Sequence, residues 1–304
     1  MTSRPLRALI RLRNTLIAVT SPKHQPLAPA LDPTRLRGRK GHAKIGIITV
    51  VVEEFTEVQA ILDLSIELPG TTPYYVASKT FSDNYDVVLM RLPGRGNINS
   101  SIGATGLMED FRPPHILLVG IAGGVHGRDN TQLGDVVLPD FIEYYEMRKI
   151  ADGQSRRRMD PYDHPSHRLR YQMAEPMSYR SDWLTRITAE RRPVQDGNSP
   201  KVIIGNLIAG EKILGDNEDT YQSSILDDYD KAIAVDMESW GVAKAVYQMR
   251  ATRYYDPQYL VIRGISDLVN EPGNDATRRQ WRSYAAHVGA AFGSALIERI
   301  LRDW

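Results

Sequence analysis

The sequence predicts a three-layer α/β fold: a central, mostly parallel, twisted sheet flanked by helices. Three observations carry this. Short runs dense in Ile, Val and Leu read as strands buried on both faces. Amphipathic helical stretches separate those runs, the alternation that generates parallel crossovers. Glycines and carboxylates collect just after the apolar runs, where α/β sheets place their ligand sites.

The elements follow in order. Lys44–Val52 is a near-continuous apolar run and predicts the first strand, with a helix from Glu53 to about Leu64. Asp86–Leu92 predicts the second strand, leading into Pro93-Gly94-Arg95-Gly96 and a helix rich in small residues that ends at Phe111, before Pro113-Pro114. His115–Val119 predicts a third buried strand, running into Gly120-Ile-Ala-Gly-Gly124. Further strands are expected at Leu133–Leu138, Lys201–Leu207, Ala232–Val235 and Tyr259–Arg263, with helices over Met237–Met249 and from about Thr277 to Arg302. The segment 143–193 breaks the alternation. It holds eleven Lys and Arg, including Arg156-Arg157-Arg158, and reads as a basic insertion over one edge of the sheet.

Charge divides the 304 residues unevenly. Residues 1–43 carry nine Lys and Arg against a single acid, Asp32, a net of +8 that leaves about −7 for the rest of a chain whose total is +1. Leu6, Leu9, Ile10, Leu12, Leu16 and Ile17 recur at near-helical spacing beside Arg4, Arg7 and Arg11, and four prolines follow between 20 and 40. Residues 1–43 are therefore expected to be a basic amphipathic and Pro-rich leader, docking on the body or a partner, and 44–304 one catalytic domain. Lipid contact, organelle targeting and nucleic-acid binding rest on this leader alone. The chain has no cysteine, which removes disulfides, thiolate metal sites and thiol nucleophiles. No apolar run approaches the ~20 residues of a membrane-spanning helix.

A small-molecule site is expected where the strands end. Glu53-Glu54 follow the first, Gly94-Arg95-Gly96 the second and Ala122-Gly123-Gly124 the third; Glu211-Lys212, Asp236-Met237-Glu238 and Ser266-Asp267 follow later ones. Each group alone also reads as a helix cap or a tight turn. The glycine pattern at 94–99 is not a dinucleotide fingerprint, because Asn99 stands where its third glycine belongs.

Taken together, these motifs resemble the purine nucleoside phosphorylase/nucleosidase superfamily, in particular its methylthioadenosine/S-adenosylhomocysteine nucleosidase branch. The resemblance rests on Lys44-Ile-Gly-Ile-Ile-Thr-Val-Val-Val-Glu-Glu54, Gly94-Arg-Gly96, Gly120-Ile-Ala-Gly-Gly124, Leu133-Gly-Asp-Val-Val137, Ala234-Val-Asp-Met-Glu-Ser239 and Val261-Ile-Arg-Gly-Ile-Ser-Asp267, across about residues 44–300. The stretch Ala209-Gly-Glu-Lys-Ile-Leu214 is most similar to members attached to bacterial signalling or antiviral-defence modules. The resemblance implies hydrolysis of the bond between a purine, adenine, and ribose in a nucleoside or nucleotide. Asp267 would be the acid to N7, oriented by Ser266, and Glu54 would activate the attacking water. Glu238 would bind the ribose hydroxyls with Met237 against the sugar. Ala122, Gly123, Ile213 and Leu214 would contact the base, although Ile213 and Leu214 stand where family members often stack a Phe.

The resemblance further implies no metal or organic cofactor, a homo-oligomer and a cytoplasmic setting. Phosphorolysis is the first alternative. It is disfavoured because the loop after the first strand offers Glu53-Glu54, which repel phosphate, where phosphorylases carry an Arg. AMP or ATP cleavage by a defence effector is the second, with Arg95, Arg156, Arg157 and Arg158 as possible phosphate ligands. A nucleoside-sensing module without turnover is the third, and it has no need of a general acid.

Overall fold

The computed structural model describes residues 43–303, apart from 69–71, 78–84, 153, 159–163, 216–217 and 251–254. The leader expected over 1–43 lies outside the described residues as far as 42, and Ala43 is already the first residue of a strand. The core of the fold is a nine-stranded sheet. In chain order its strands are β1 (Ala43–Thr49), β2 (Ile66–Leu68), β3 (Tyr74–Val76), β4 (Tyr85–Arg91), β5 (His115–Gly124), β6 (Val136–Tyr144), β9 (Val202–Ala209), β10 (Ala232–Asp236) and β11 (Gln258–Leu268). Their spatial order is β10-β9-β6-β11-β5-β1-β4-β3-β2.

The sheet is mixed. The β1–β4, β1–β5, β11–β5, β6–β9 and β10–β9 pairs are parallel. The short β2–β3–β4 edge and the β11–β6 pair are antiparallel. An additional antiparallel pairing of Val235 and Ala234 with Gly123 and Gly124 joins β10 to β5, so β5, β11, β6, β9 and β10 close into a ring.

Two helical layers cover the sheet. On one face, α2 (Asn97–Phe111) and α5 (Ser239–Arg250) enclose Ile48, Leu107, Phe111, Val242 and Val246. On the other, α1 (Val52–Leu62) and α6 (Asn274–Arg302) enclose Ile45, Ile47, Val58, Leu117, Val288 and Phe292. Residues 45, 47 and 48 of one strand thus serve both cores, which is why β1 reads as an unbroken apolar run rather than an alternating one.

Several element ends differ from the sequence expectation, each for a local reason. β1 stops at Thr49 rather than Val52, because the Glu54 carboxylate turns back and accepts the N–H groups of Val50 (2.6 Å) and Val51 (3.1 Å). β5 continues through Gly124, since its glycines allow β10 and β11 to approach from either side. β11 extends through Ser266 and Asp267 after a bulge, so these two residues belong to a strand end rather than to a loop.

The basic segment also differs from the expected edge insertion. Strand β6 runs on to Tyr144, followed by a hairpin of β7 (Arg148–Ala151) and β8 (Gln154–Arg157). Next come a π-helical turn at Arg168–Ala174, the short α3 (Glu175–Ser178) and 3-10 turns at Asp182–Arg186 and Ala189–Arg191. Leu169, Met173 and Trp183 of this stretch are buried in the α1/α6 core, with the Trp183 ring edge-on to Phe292 at 5.3 Å. Its apolar residues therefore build core, and two of its cations are buried with them, Arg170 paired with Glu175 and Arg192 with Asp196. The remaining helix, α4 (Thr220–Asp228), is capped by Asp219, whose side chain accepts the Gln222 N–H at 2.7 Å.

Candidate active site

The carboxyl ends of β1, β5, β10 and β11 converge on one pocket. Its lining includes Glu54, Ala122, Gly123, Glu238, Ser266 and Asp267. Arg95, Ile213, Leu214 and Met237 complete the sequence-expected set that lines it. Arg156, Arg157 and Arg158 are elsewhere, at and just after the end of β8. Arg157 pairs with Glu143 and lies 4.3 Å over the Tyr229 ring, a structural use of a cation that sequence reasoning offered to phosphate. Of the four base-contact candidates, Leu214 is buried and Ile213 is 52% exposed, so Ile213 offers the pocket only part of a side chain.

Glu54 sits in the first turn of α1, 2% exposed. Its Oε2 takes the Val50 and Val51 N–H groups and its Oε1 accepts the Ile121 N–H at 2.9 Å. Burial raises its pKa above the ordinary carboxylate value, against the lowering pull of Arg263 and the three N–H donors. A carboxylate held this way has a fixed orientation and an enhanced affinity for a proton.

Beneath it lies Arg263, fully buried in the middle of β11. Its Nε and Nη2 reach Asp236 Oδ2 at 2.8 and 2.6 Å, and Nη2 reaches Glu238 Oε2 at 3.3 Å. Nη1 has no hydrogen-bond partner and stands 3.9 Å from Glu54 Oε1. Gly120 makes this approach possible, since a Cβ there would fall 2.3 Å from Arg263 Nη1 and 2.4 Å from Glu54 Oε1. One guanidinium thus faces three carboxylates. Burial, opposed by Arg263 and reinforced by Asp236 and Glu54, pushes Glu238 up to about 7. Glu238 Oε1 accepts the Gly96 N–H at 3.1 Å, which orients its carboxyl group beside the β4–α2 loop. Asp236 also accepts the N–H groups of Glu238 (3.3 Å) and Ser239 (3.2 Å), so it caps α5 while binding Arg263.

At the opposite end, Asp267 is 2% exposed. Ser266 Oγ donates to its Oδ1 at 2.7 Å, and Arg278, from the second turn of α6, donates through Nε to Oδ1 (3.1 Å) and Nη2 to Oδ2 (2.8 Å). Ser266 Oγ also lies 3.3 Å from the Ala122 carbonyl, tying the acid to the β5 wall.

Arg263 and Arg278 were not among the expected site residues, and Asp236 entered only within the strand-end group Asp236-Met237-Glu238, with no role of its own. A lone Arg inside the apolar run Leu260–Ile265 is itself a signal, because a charge buried in a strand demands carboxylate partners. Arg278 carries no such signal: only the register of α6 brings it over Asp267. Among the described residues, no group of three or more His, Asp and Glu could hold a metal ion, and no helix is long and apolar enough to cross a membrane.

Known proteins resemble this chain in sequence and in fold. The chain is 28% identical over 248 residues to the 5′-methylthioadenosine/S-adenosylhomocysteine nucleosidase of Maridesulfovibrio salexigens, covering 80% of this chain and 94% of that one. It is 26% identical over 258 residues to the enzyme of the same name from Staphylococcus epidermidis, covering 84% and 100%. Among solved structures, the nucleosidase of that name from Colwellia psychrerythraea, in complex with adenine, superposes with a TM-score of 0.65 at 18% identity over 86% of this chain and 96% of that one. The futalosine hydrolase of Helicobacter pylori superposes with 0.63 at 16% identity, over 85% and 98%. The model of the phosphorylase superfamily matches residues 44–302, and the chain belongs to that superfamily.

Proposed function

We propose that the chain is a purine nucleosidase that hydrolyses the bond between adenine and ribose. The observation that carries this reading is the convergence of three buried carboxylates, Asp267, Glu238 and Glu54, on one pocket. Cleaving a purine N-glycosidic bond needs a proton for the departing base, support for a cationic ribosyl transition state and an activated nucleophile, and carboxylates in unlike environments can divide that work.

Asp267, aimed by Ser266, donates the proton to N7. The two Arg278 bonds occupy both of its oxygens, so base entry has to displace at least one of them. Glu238 accepts hydrogen bonds from the ribose hydroxyls, with Met237 against the sugar and Ala122, Gly123 and Leu214 along the base. Glu54 takes a proton from the attacking water, and the unpartnered Nη1 of Arg263 beside it is a ready donor to that water's oxygen. The bond to the anomeric carbon breaks as the water oxygen adds, giving free base and ribose derivative.

Hydrolysis is favoured over phosphorolysis because Glu54 is where the nucleophile enters, and a carboxylate there repels phosphate while it activates water. The nucleosidase names of the relatives support the same choice. The test is chromatography of adenosine, methylthioadenosine and S-adenosylhomocysteine incubated with the protein, with and without phosphate. Free adenine in phosphate-free buffer is the expected result. Adenine appearing only when phosphate is added would make the chain a phosphorylase, and no base from any substrate would leave a binding module.

A further inference from the structure

Asp236 lines the pocket and yet has no bonding capacity to offer it. Its contacts are all donors: Arg263 Nε and Nη2 at 2.8 and 2.6 Å, the N–H groups of Glu238 and Ser239, and the Ser239 hydroxyl. A carboxylate accepts about four hydrogen bonds, so this one is filled from within the protein.

The charges around it are unevenly shared. Arg263 is fully buried and brings one positive charge to Asp236, Glu238 and Glu54, each 6% exposed or less. Asp236 takes two of its nitrogens. Glu238 has one longer contact, 3.3 Å to Nη2, and Glu54 Oε1 lies 3.9 Å from Nη1, beyond hydrogen-bond reach. Attraction falls with distance, so Asp236 neutralises the guanidinium before the two carboxylates that face the pocket can use it. The other cations near Glu54 are no substitute. Arg278 is held by Asp267 and Asp275, Lys212 by Glu146 and Arg282 by Glu53, while Arg95 is exposed and screened by water. The upward displacement of both Glu54 and Glu238, caused first by burial, accords with this shortage.

We propose that Asp236 is a positioning residue for the hydrolytic base: by holding Arg263 to itself it withholds that charge from Glu54, which stays able to take a proton from the attacking water. This rests on the nucleosidase reading above. Asp236 touches neither substrate nor water. It also anchors the guanidinium so that Nη1 keeps its place beside Glu54.

The test is the pH profile of kcat/KM for adenine release, on the substrate cleaved fastest, in the natural protein, Asp236→Asn, Asp236→Glu and Ser239→Ala. Asp236→Asn keeps an oxygen for the Glu238 and Ser239 N–H groups and removes the charge, which leaves Arg263 to Glu54 and Glu238. The acid-side midpoint is expected to fall by about one pH unit or more, and the plateau by about tenfold, because a weaker base takes the proton less readily. Asp236→Glu should bring the midpoint back, and Ser239→Ala, which trims the cap but not the charge, should leave it in place. A midpoint unmoved in Asp236→Asn, with only turnover or melting temperature reduced, makes Asp236 structural and overturns the proposal. Should Asp236→Asn not fold, the double variant Asp236→Asn/Arg263→Met removes a pair that was already neutral. Its turnover should be low, with a midpoint within about half a unit of the natural one; a rise of about a unit or more would show that Arg263 acts on Glu54 despite Asp236. If no base is released from any substrate, the nucleosidase reading fails by itself. The carboxyl-carbon NMR signals of Glu54 and Glu238, assigned with Glu54→Gln and Glu238→Gln, then decide on Asp236. Titration at lower pH in Asp236→Asn supports its hold on Arg263, and unmoved titrations refute it.

Discussion

Glu54 and Glu57 stand one turn apart on α1 and live in opposite electrostatic worlds. Glu54 faces the pocket, where Asp236 and Glu238 compete with it for the single guanidinium of Arg263. Glu57 is bonded by Arg191 of the 3-10 turn Ala189–Arg191 and lies 3.0 Å from His287 Nδ1 of α6, and the neighbouring Glu53 pairs with Arg282. Burial raises Glu54, and the cation nearby is shared too thinly to undo it. At Glu57 burial also raises, but hydrogen bonds from Arg191 and His287 prevail and hold the carboxyl near 2. The lesson is that a carboxylate is made into machinery by a local shortage of cations, and into mortar by a sufficiency of them.

The comparison can be broken at several points. The largest effect is expected from Asp267→Asn, which keeps the shape but has no proton to give; adenine release should fall about 10²- to 10⁴-fold, read by chromatography, with ligand binding retained. Arg263→Met removes the one cation under the pocket and strands Asp236 and Glu238, so denaturant unfolding should show a loss of about 3–5 kcal/mol.

The two kinds of carboxylate should then oppose each other in pH dependence. Glu238, near 7 when folded and 4.5 ordinarily, holds a proton that the unfolded chain releases. Its contribution to stability is full below about 4.5 and is lost as pH rises toward 7. Glu57, held near 2, contributes above about 4.5 and loses that contribution as pH falls toward 2. Melting temperature against pH should therefore lose part of its decline between pH 5 and 7 in Glu238→Gln, and part of its acid decline in Glu57→Gln. The smallest change belongs to Arg157→Ala on the β7–β8 hairpin. A partly exposed ion pair is worth about 1 kcal/mol or less, and the ratio of AMP to adenosine turnover should stay within twofold.

Much of the pocket could be read along the chain, because strand ends in an α/β sheet share one edge and the residues following them must meet. Glu54, Glu238, Ser266 and Asp267 follow that logic. What could not be read depends on register or on closure in three dimensions. Arg278 reaches Asp267 only because α6 begins at Asn274 and turns its second turn inward. The β10–β5 pairing joins residues more than a hundred positions apart and leaves no local pattern. The 143–193 segment misled for a different reason: its cations are plentiful, and its buried Leu169, Met173 and Trp183 are scattered among them.

The ring formed by β5, β11, β6, β9 and β10 has a mechanical consequence. The wall that would hold the base, around Ala122 and Gly123, and the strand that carries Asp236 toward Glu238 are stitched to each other across Gly123 and Val235. The two walls are thus linked by backbone pairing, and a displacement of one is carried to the other. The β4–α2 loop is pinned to the same assembly, through Gly96 to Glu238 and through Asn97 to Glu211 and Gly210. A substitution in that loop therefore acts on the sugar-side carboxylate as well as on the loop itself.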